Sequence, residues 1–129
     1  MLFRSDLEQA VERADLGKGR IVIVNLNSRT PLDYDDILFL NSDGPYVHFH
    51  TTDGRVVTGT HGLNFYSKQL NSNVFQRSHR SFLVNLSQVE TALSDKDGGG
   101  TVIIKGYGKP IPIAKRRRKE FMEALEGRE

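Results

Sequence analysis

The stretch from Phe75 to Leu86 reads FQRSHRSFLVNL and sets Arg77, His79 and Arg80 directly before an apolar run. Guanidinium groups are permanent cations with forked donors, and an imidazole can ligate a metal or move a proton near neutral pH. A strand edge decorated this way can bind a metal, catalyse a reaction or grip an acidic polymer. A second basic feature is the unbroken block Lys115, Arg116, Arg117, Arg118 and Lys119. The chain holds 18 Lys+Arg against 16 Asp+Glu, a net charge of only +2. Binding fields come from local concentration rather than from such totals. Acidic residues gather elsewhere, at Asp33, Asp35 and Asp36 and at Glu120, Glu123 and Glu126.

The histidines raise the metal and catalytic readings. His48 and His50 alternate on a predicted strand and share a face, with His61 and His79 as further ligand candidates. No carboxylate stands at ligand spacing beside them, and Cys 0 removes every thiolate site. No metal and no cofactor is expected. The tripeptides His50–Thr52 (HTT) and His79–Ser81 (HRS) resemble the paired elements of two-histidine phosphoesterases. A small phosphodiesterase with His50 and His79 as acid and base is therefore an alternative. The chain lacks the duplicated α/β units that bring such a pair together. Asp97–Gly100 (DGGG) is not a phosphate-binding loop, because no Lys-Ser/Thr follows and it lies between strands. It reads as a hairpin turn.

The elements around these groups predict one mainly β domain. The length of 129 residues, 37% hydrophobic and 26% charged, suits a single globular core. No apolar stretch reaches membrane-spanning length and no signal-peptide pattern opens the chain, so a cytoplasmic protein is expected. Ser5 and Glu8 form a capping box for a helix to Leu16, with Leu7, Ala10, Val11 and Ala14 at helical spacing. Strands follow in RIVIVNL, ILFL, YVHFH and RVVTGT, separated by Asp-Gly turns. A helical piece covers Leu63 to Leu70, then QVETAL and TVIIK resume the strands. KPIPI reads as an edge strand, since its prolines lack a donor. A last helix is predicted from near Ala114, with Arg118, Phe121, Met122 and Leu125 at helical spacing. Leu83, Val84, Leu86, Ile103, Ile104 and Phe121 are the expected core behind the basic features.

That last helix carries its charges in reverse. A helix N-terminus bears partial positive charge, yet the basic block occupies this one and the glutamates follow. Each misplaced charge costs on the order of a few tenths of a kcal/mol. An external anion would complete the arrangement, with backbone N–H groups and guanidiniums converging on phosphate.

Three blocks in order, DDILFLNSDGPYVHFHTTDGRVVTGT, VFQRSHRSFLVNLSQVETA and PIPIAKRRRKEF, resemble the LytTR DNA-binding domain over about residues 20 to 125. The family's central element, Phe-x-Arg-x-His-Arg-Ser-aromatic-aliphatic-Val-Asn, is met from Phe75 to Asn85. The resemblance implies an elongated antiparallel β fold over residues 20–129, with residues 1–19 a short helical extension. It implies a non-enzymatic bacterial transcription regulator that binds double-stranded DNA at paired direct repeats through major-groove loops. Tyr46, Arg80 and Arg116 fall on the base-reading positions. Arg77, His79, Ser81, Lys115, Arg117 and Lys119 fall on phosphate-contacting ones. The implied partners are duplex DNA and a second copy on an adjacent site, with neither a membrane nor a small-molecule substrate. A module with the same fold that binds protein instead is a further alternative. Pro45 precedes Tyr46 where relatives often carry Asn, and Ala114 stands where they often carry serine. The receiver domain common in the family has no counterpart here, which leaves a stand-alone regulator or the effector part of a longer one.

Overall fold

A computed structural model describes residues 19–127. The helix expected over Ser5–Leu16 lies outside the described residues. Among the described residues ten strands form three sheets, and every pairing is antiparallel. Strands β1 (Arg20–Asn25) and β2 (Ser28–Asp33) make a two-stranded ribbon. Strands β3 (Ile37–Asp43), β4 (Tyr46–Thr51), β5 (Val56–Gly59), β6 (Phe75–His79) and β7 (Phe82–Asn85) form a sheet in the order β5-β4-β3-β7-β6. Strands β8 (Val89–Ser94), β9 (Gly100–Ile104) and β10 (Ile111–Ile113) make the third sheet, in the order β10-β9-β8. Helix α1 (Leu63–Gln69) follows β5, and α2 (Arg118–Glu126) ends the described chain.

Strand β2 has no counterpart among the expected elements, because SRTPLD carries neither alternation nor β-branched density. It pairs through a two-residue turn whose Asn27 N–H and Ser28 hydroxyl both donate to the Asn25 side-chain oxygen, each at 3.0 Å. Pro31 fits there because the other edge of β2 pairs with no strand. The same logic holds for Pro112 on β10, the expected edge strand. The Asp-Gly turns are as expected: Gly44 and Gly54 have φ of 60° and 88°.

The five-stranded sheet is the middle layer. One face packs with the ribbon and α1, through Ile23, Leu32, Leu40, Phe49, Tyr66 and Leu83. The other packs with the three-stranded sheet and α2, through Phe39, Val84, Val102, Ile104, Ile111 and Phe121. Burial on both faces is why ILFL and FLVN read as continuous apolar runs. A register shift between Ile37 and Phe39 then sorts Ile37 to one core and Leu38 and Phe39 to the other. Of the expected core residues only Ile103 is less than fully buried.

Asn85 joins these layers from a fully buried position. Its amide donates to the carbonyls of Tyr34 at 3.0 Å and Ile37 at 2.8 Å. Its oxygen accepts from the Ser87 N–H at 3.0 Å and the Ser87 hydroxyl at 2.7 Å. Replacing Asn85 by alanine strips partners from buried groups, at roughly 1–3 kcal/mol for each group left unpaired. Urea denaturation of Asn85→Ala is expected to show a loss of about 3 kcal/mol, and a loss below about 1 kcal/mol would refute this role.

Candidate nucleic-acid interface

The basic hairpin is built on an irregularity. Phe75, Gln76 and Arg77 pair with Asn85, Val84 and Leu83, but the next pair is His79 with Phe82. Ser78 is the extra residue of a β-bulge, and Arg80 and Ser81 form the two-residue turn beyond it. The Ser81 N–H donates to His79 Nδ1 at 3.1 Å, so the neutral ring carries its proton on Nε2. The Ser81 carbonyl accepts from the Ser42 N–H at 2.9 Å, which ties the turn to the end of β3. Arg80 is left exposed at the tip.

The bulge brings in the second basic element. An unpaired residue has free backbone groups, and the Ser78 carbonyl accepts from the Ala114 N–H at 2.7 Å. Lys115–Arg117 follow at once as a 3-10 turn, and the α-helix starts only at Arg118. The helix expected from near Ala114 is present, with Ala114 at its N-cap and a 3-10 first turn. Alanine offers no capping oxygen, its N–H is committed to Ser78, and the first turn tightens. Glu120 then falls in the first turn of α2, so the basic trio precedes the α-helix rather than opening it. Arg116 and Lys119 are exposed, whereas Arg117 is partly covered.

Cations crowd where these elements meet. Arg77 donates through Nη2 to Asn64 Oδ1 at 3.0 Å, on the first turn of α1. Its Nε is buried without a protein partner. Burial, and then the neighbouring Arg117, lower its pKa from the ordinary arginine value. Burial, then Arg80 and Arg117, likewise hold His79 below the ordinary histidine value. The ion pairs among the described residues use Arg20, His48 and Arg55 and leave this cluster without a carboxylate. Asn64 gave no signal in the sequence, since only the fold brings it to Arg77.

The β3–β4 turn stands beside the hairpin, because Ser42 is bonded to Ser81 and Asp43 pairs with Tyr46. Tyr46 is 47% exposed there. His48 braces this end, with Nδ1 2.8 Å from Thr58 Oγ1 and Nε2 3.0 Å from Asp43 Oδ2. Tyr46, Arg80 and the Lys115–Arg117 turn therefore occupy one end of the middle sheet.

The histidines do not assemble into a metal site. His50 stacks on Phe39 with centroids 4.3 Å apart and its Nε2 lies 2.6 Å from Asn41 Oδ1. Its pKa is lowered by burial, then by His48 and Lys109. His61 stacks on Phe65, and no group of three metal-ligating side chains occurs among the described residues. Of the acid–base pair weighed above, His50 is packed against Phe39 and Tyr107 while His79 closes the hairpin turn. No helix among the described residues is long and apolar enough to cross a membrane.

The LytTr DNA-binding domain profile matches residues 20–126. The chain belongs to the LytTR family. It is 27% identical over 108 residues to the sensory transduction protein LytT of Oceanobacillus iheyensis, covering 82% of this chain and 44% of that protein. It is 30% identical over 84 residues to the CO-responsive transcriptional regulator RcoM of Rhodospirillum rubrum, covering 65% and 35% respectively. The chain thus spans less than half the length of either relative. A LytTr DNA-binding domain of a Bacillus cereus response regulator superposes with a TM-score of 0.69, at 21% identity over 87% of this chain and all of that one. The antiparallel LytTR fold is shown, and the chain carries a DNA-binding domain of this family.

Because the folded chain holds His50 and His79 below the ordinary value of 6.5, the unfolded chain binds protons more readily. Stability is therefore full above about pH 6.5 and falls as pH drops through that value toward the two lowered pKa values. Imidazole NMR titration is expected to place both midpoints below 6.5, with His79 as the Nε2–H tautomer. A midpoint above 6.5 for either ring would contradict the geometry.

Proposed function

We propose that this chain is the DNA-reading unit of a cytoplasmic bacterial transcription regulator, with residues 20–129 as the binding domain and 1–19 as an extension. It binds double-stranded DNA sequence-specifically through major-groove contacts at paired direct repeats, with a second copy on the adjacent repeat. The observation that carries this reading is the Ser78–Ala114 backbone bond, which sets the Arg80 turn beside the Lys115–Arg117 turn. The names of LytT and RcoM support a regulatory role.

Tyr46, Arg80 and Arg116 read bases in this proposal. All three side chains are exposed, and a guanidinium can fork onto the O6 and N7 of guanine. His79, Ser81, Lys115, Arg117 and Lys119 contact phosphates, His79 through Nε2–H because Nδ1 is engaged by Ser81. Arg77 belongs to the phosphate group chiefly as a fixed charge. Asn64 holds its guanidinium, and a phosphate beside Arg77 and Arg117 relieves their repulsion.

Selection of bound duplexes from fragmented bacterial DNA, followed by titration at several salt concentrations, tests the proposal. Arg80→Ala and Arg116→Ala are each expected to lower the ratio of specific to non-specific affinity by about tenfold or more. Lys119→Ala weakens both kinds of binding alike and reduces the slope of log K against log salt by about 0.9. Equal losses in all three variants, or affinity indifferent to salt, would refute the division of roles.

A further inference from the structure

The β8–β9 hairpin contains more glycine than a chain reversal requires. Gly98 has φ of +103°, the left-handed region that suits glycine. The further constraint is contact with the segment that enters the basic turn. A Cβ on Gly98 would lie 2.8 Å from Lys115 Cγ, and one on Gly99 would lie 2.9 Å from the Ile113 carbonyl oxygen. The stem of Lys115 thus lies across the hairpin loop.

Arg118 grips the same loop from the other side of the basic turn. Its Nη1 donates to the carbonyl of Asp95 at 3.2 Å and to that of Gly99 at 3.1 Å. These two carbonyls also close the loop, accepting from the Gly98 and Asp95 N–H groups. Arg118 is partly covered, in contrast to exposed Arg116. The three-residue turn is consequently held at both ends. Ala114 fixes it to β6 upstream, and Arg118 fixes it to the β8–β9 loop downstream. A segment held at one end can swivel, and one held at both cannot.

We propose that the β8–β9 loop is the seat of the basic turn and that Arg118 is a positioning residue, setting how Lys115, Arg116 and Arg117 meet DNA while contacting none itself. The inference rests on the DNA-binding reading above. It separates Arg118 from its four neighbours in the basic block, which composition alone treats as equivalent.

The test uses the full 129-residue chain with Arg118→Ala and Arg118→Gln, the latter keeping an NH2 donor on a shorter, uncharged side chain. Specific and non-specific duplex affinities are measured over a salt series, and amide hydrogen exchange at Arg116–Lys119 is measured without DNA. Arg118→Ala is expected to lose about tenfold in specific affinity with an unchanged salt slope, because no phosphate contact disappears. Exchange in the basic turn rises, while the middle sheet keeps its protection. Arg118→Gln gives an intermediate loss and decides the matter if the alanine variant does not fold. A slope reduced by about 0.9 would make Arg118 a phosphate ligand and overturn the proposal. Unchanged specific affinity would overturn it as well. If the unsubstituted chain binds no duplex, the DNA reading fails separately, and unchanged exchange in the variants would then refute the anchoring itself.

Discussion

One backbone hydrogen bond, from the Ala114 N–H to the Ser78 carbonyl, determines how the two basic elements stand to each other. It exists because β6 carries one residue more than β7 can pair, which leaves the Ser78 carbonyl free. A single such bond is worth only about 1 kcal/mol net. It cannot hold a helix to a sheet alone. Burial of Phe121 contributes roughly 1.5–3 kcal/mol and supplies the adhesion of α2, packed among Val84, Val102 and Ile113. The bond supplies register, and the core supplies strength.

The binding face is electrostatically unfavourable in the free protein. Burial and then Arg117 lower the pKa of Arg77, burial and then Arg80 and Arg117 lower that of His79, and no described carboxylate intervenes. Compensation comes from neutral groups: Asn64 accepts from Arg77, and backbone carbonyls accept from Arg118. These acceptors orient guanidiniums without cancelling their charge. A carboxylate would neutralise them and compete with phosphate. The choice of acceptor thus preserves the field while fixing the side chains that produce it.

Most of the fold was legible because local chemistry and tertiary demand agree. The β-branched runs became strands, the Asp-Gly pairs became turns, and KPIPI became an edge strand. Strand β2 was illegible because Ser28–Asp33 owes its conformation to β1 and not to its own residues. The helix start near Ala114 was legible, but not the 3-10 geometry of its first turn, Lys115–Arg117, nor the bond from the Ala114 N–H to a partner 36 positions away. Among the candidate site residues, the types were visible and the connections were not. Periodicity indicated that His48 and His50 share a strand face, but could not show that Thr58, Asp43 and Asn41 occupy their nitrogens. Helical spacing set Arg118 with Phe121, Met122 and Leu125 and apart from the candidate DNA contacts, but only the position of the β8–β9 loop shows what it holds.

The stretch FQRSHRSFLVNL shows why residue types underdetermine such a site. Strand side chains alternate between faces, so one inserted residue reverses every assignment beyond it. With a regular pairing through Ser78, His79 would share the face of Phe75 and Arg77, and only the bulge turns it to the face of Phe82. The Ser81 N–H would no longer meet His79 Nδ1, and the Ser78 carbonyl would be consumed within the ladder. Ala114 would then lose its attachment, and the Lys115–Arg117 turn would lose its relation to Arg80. The same cations would remain in the chain, with the same net charge, and with no common surface on which to act.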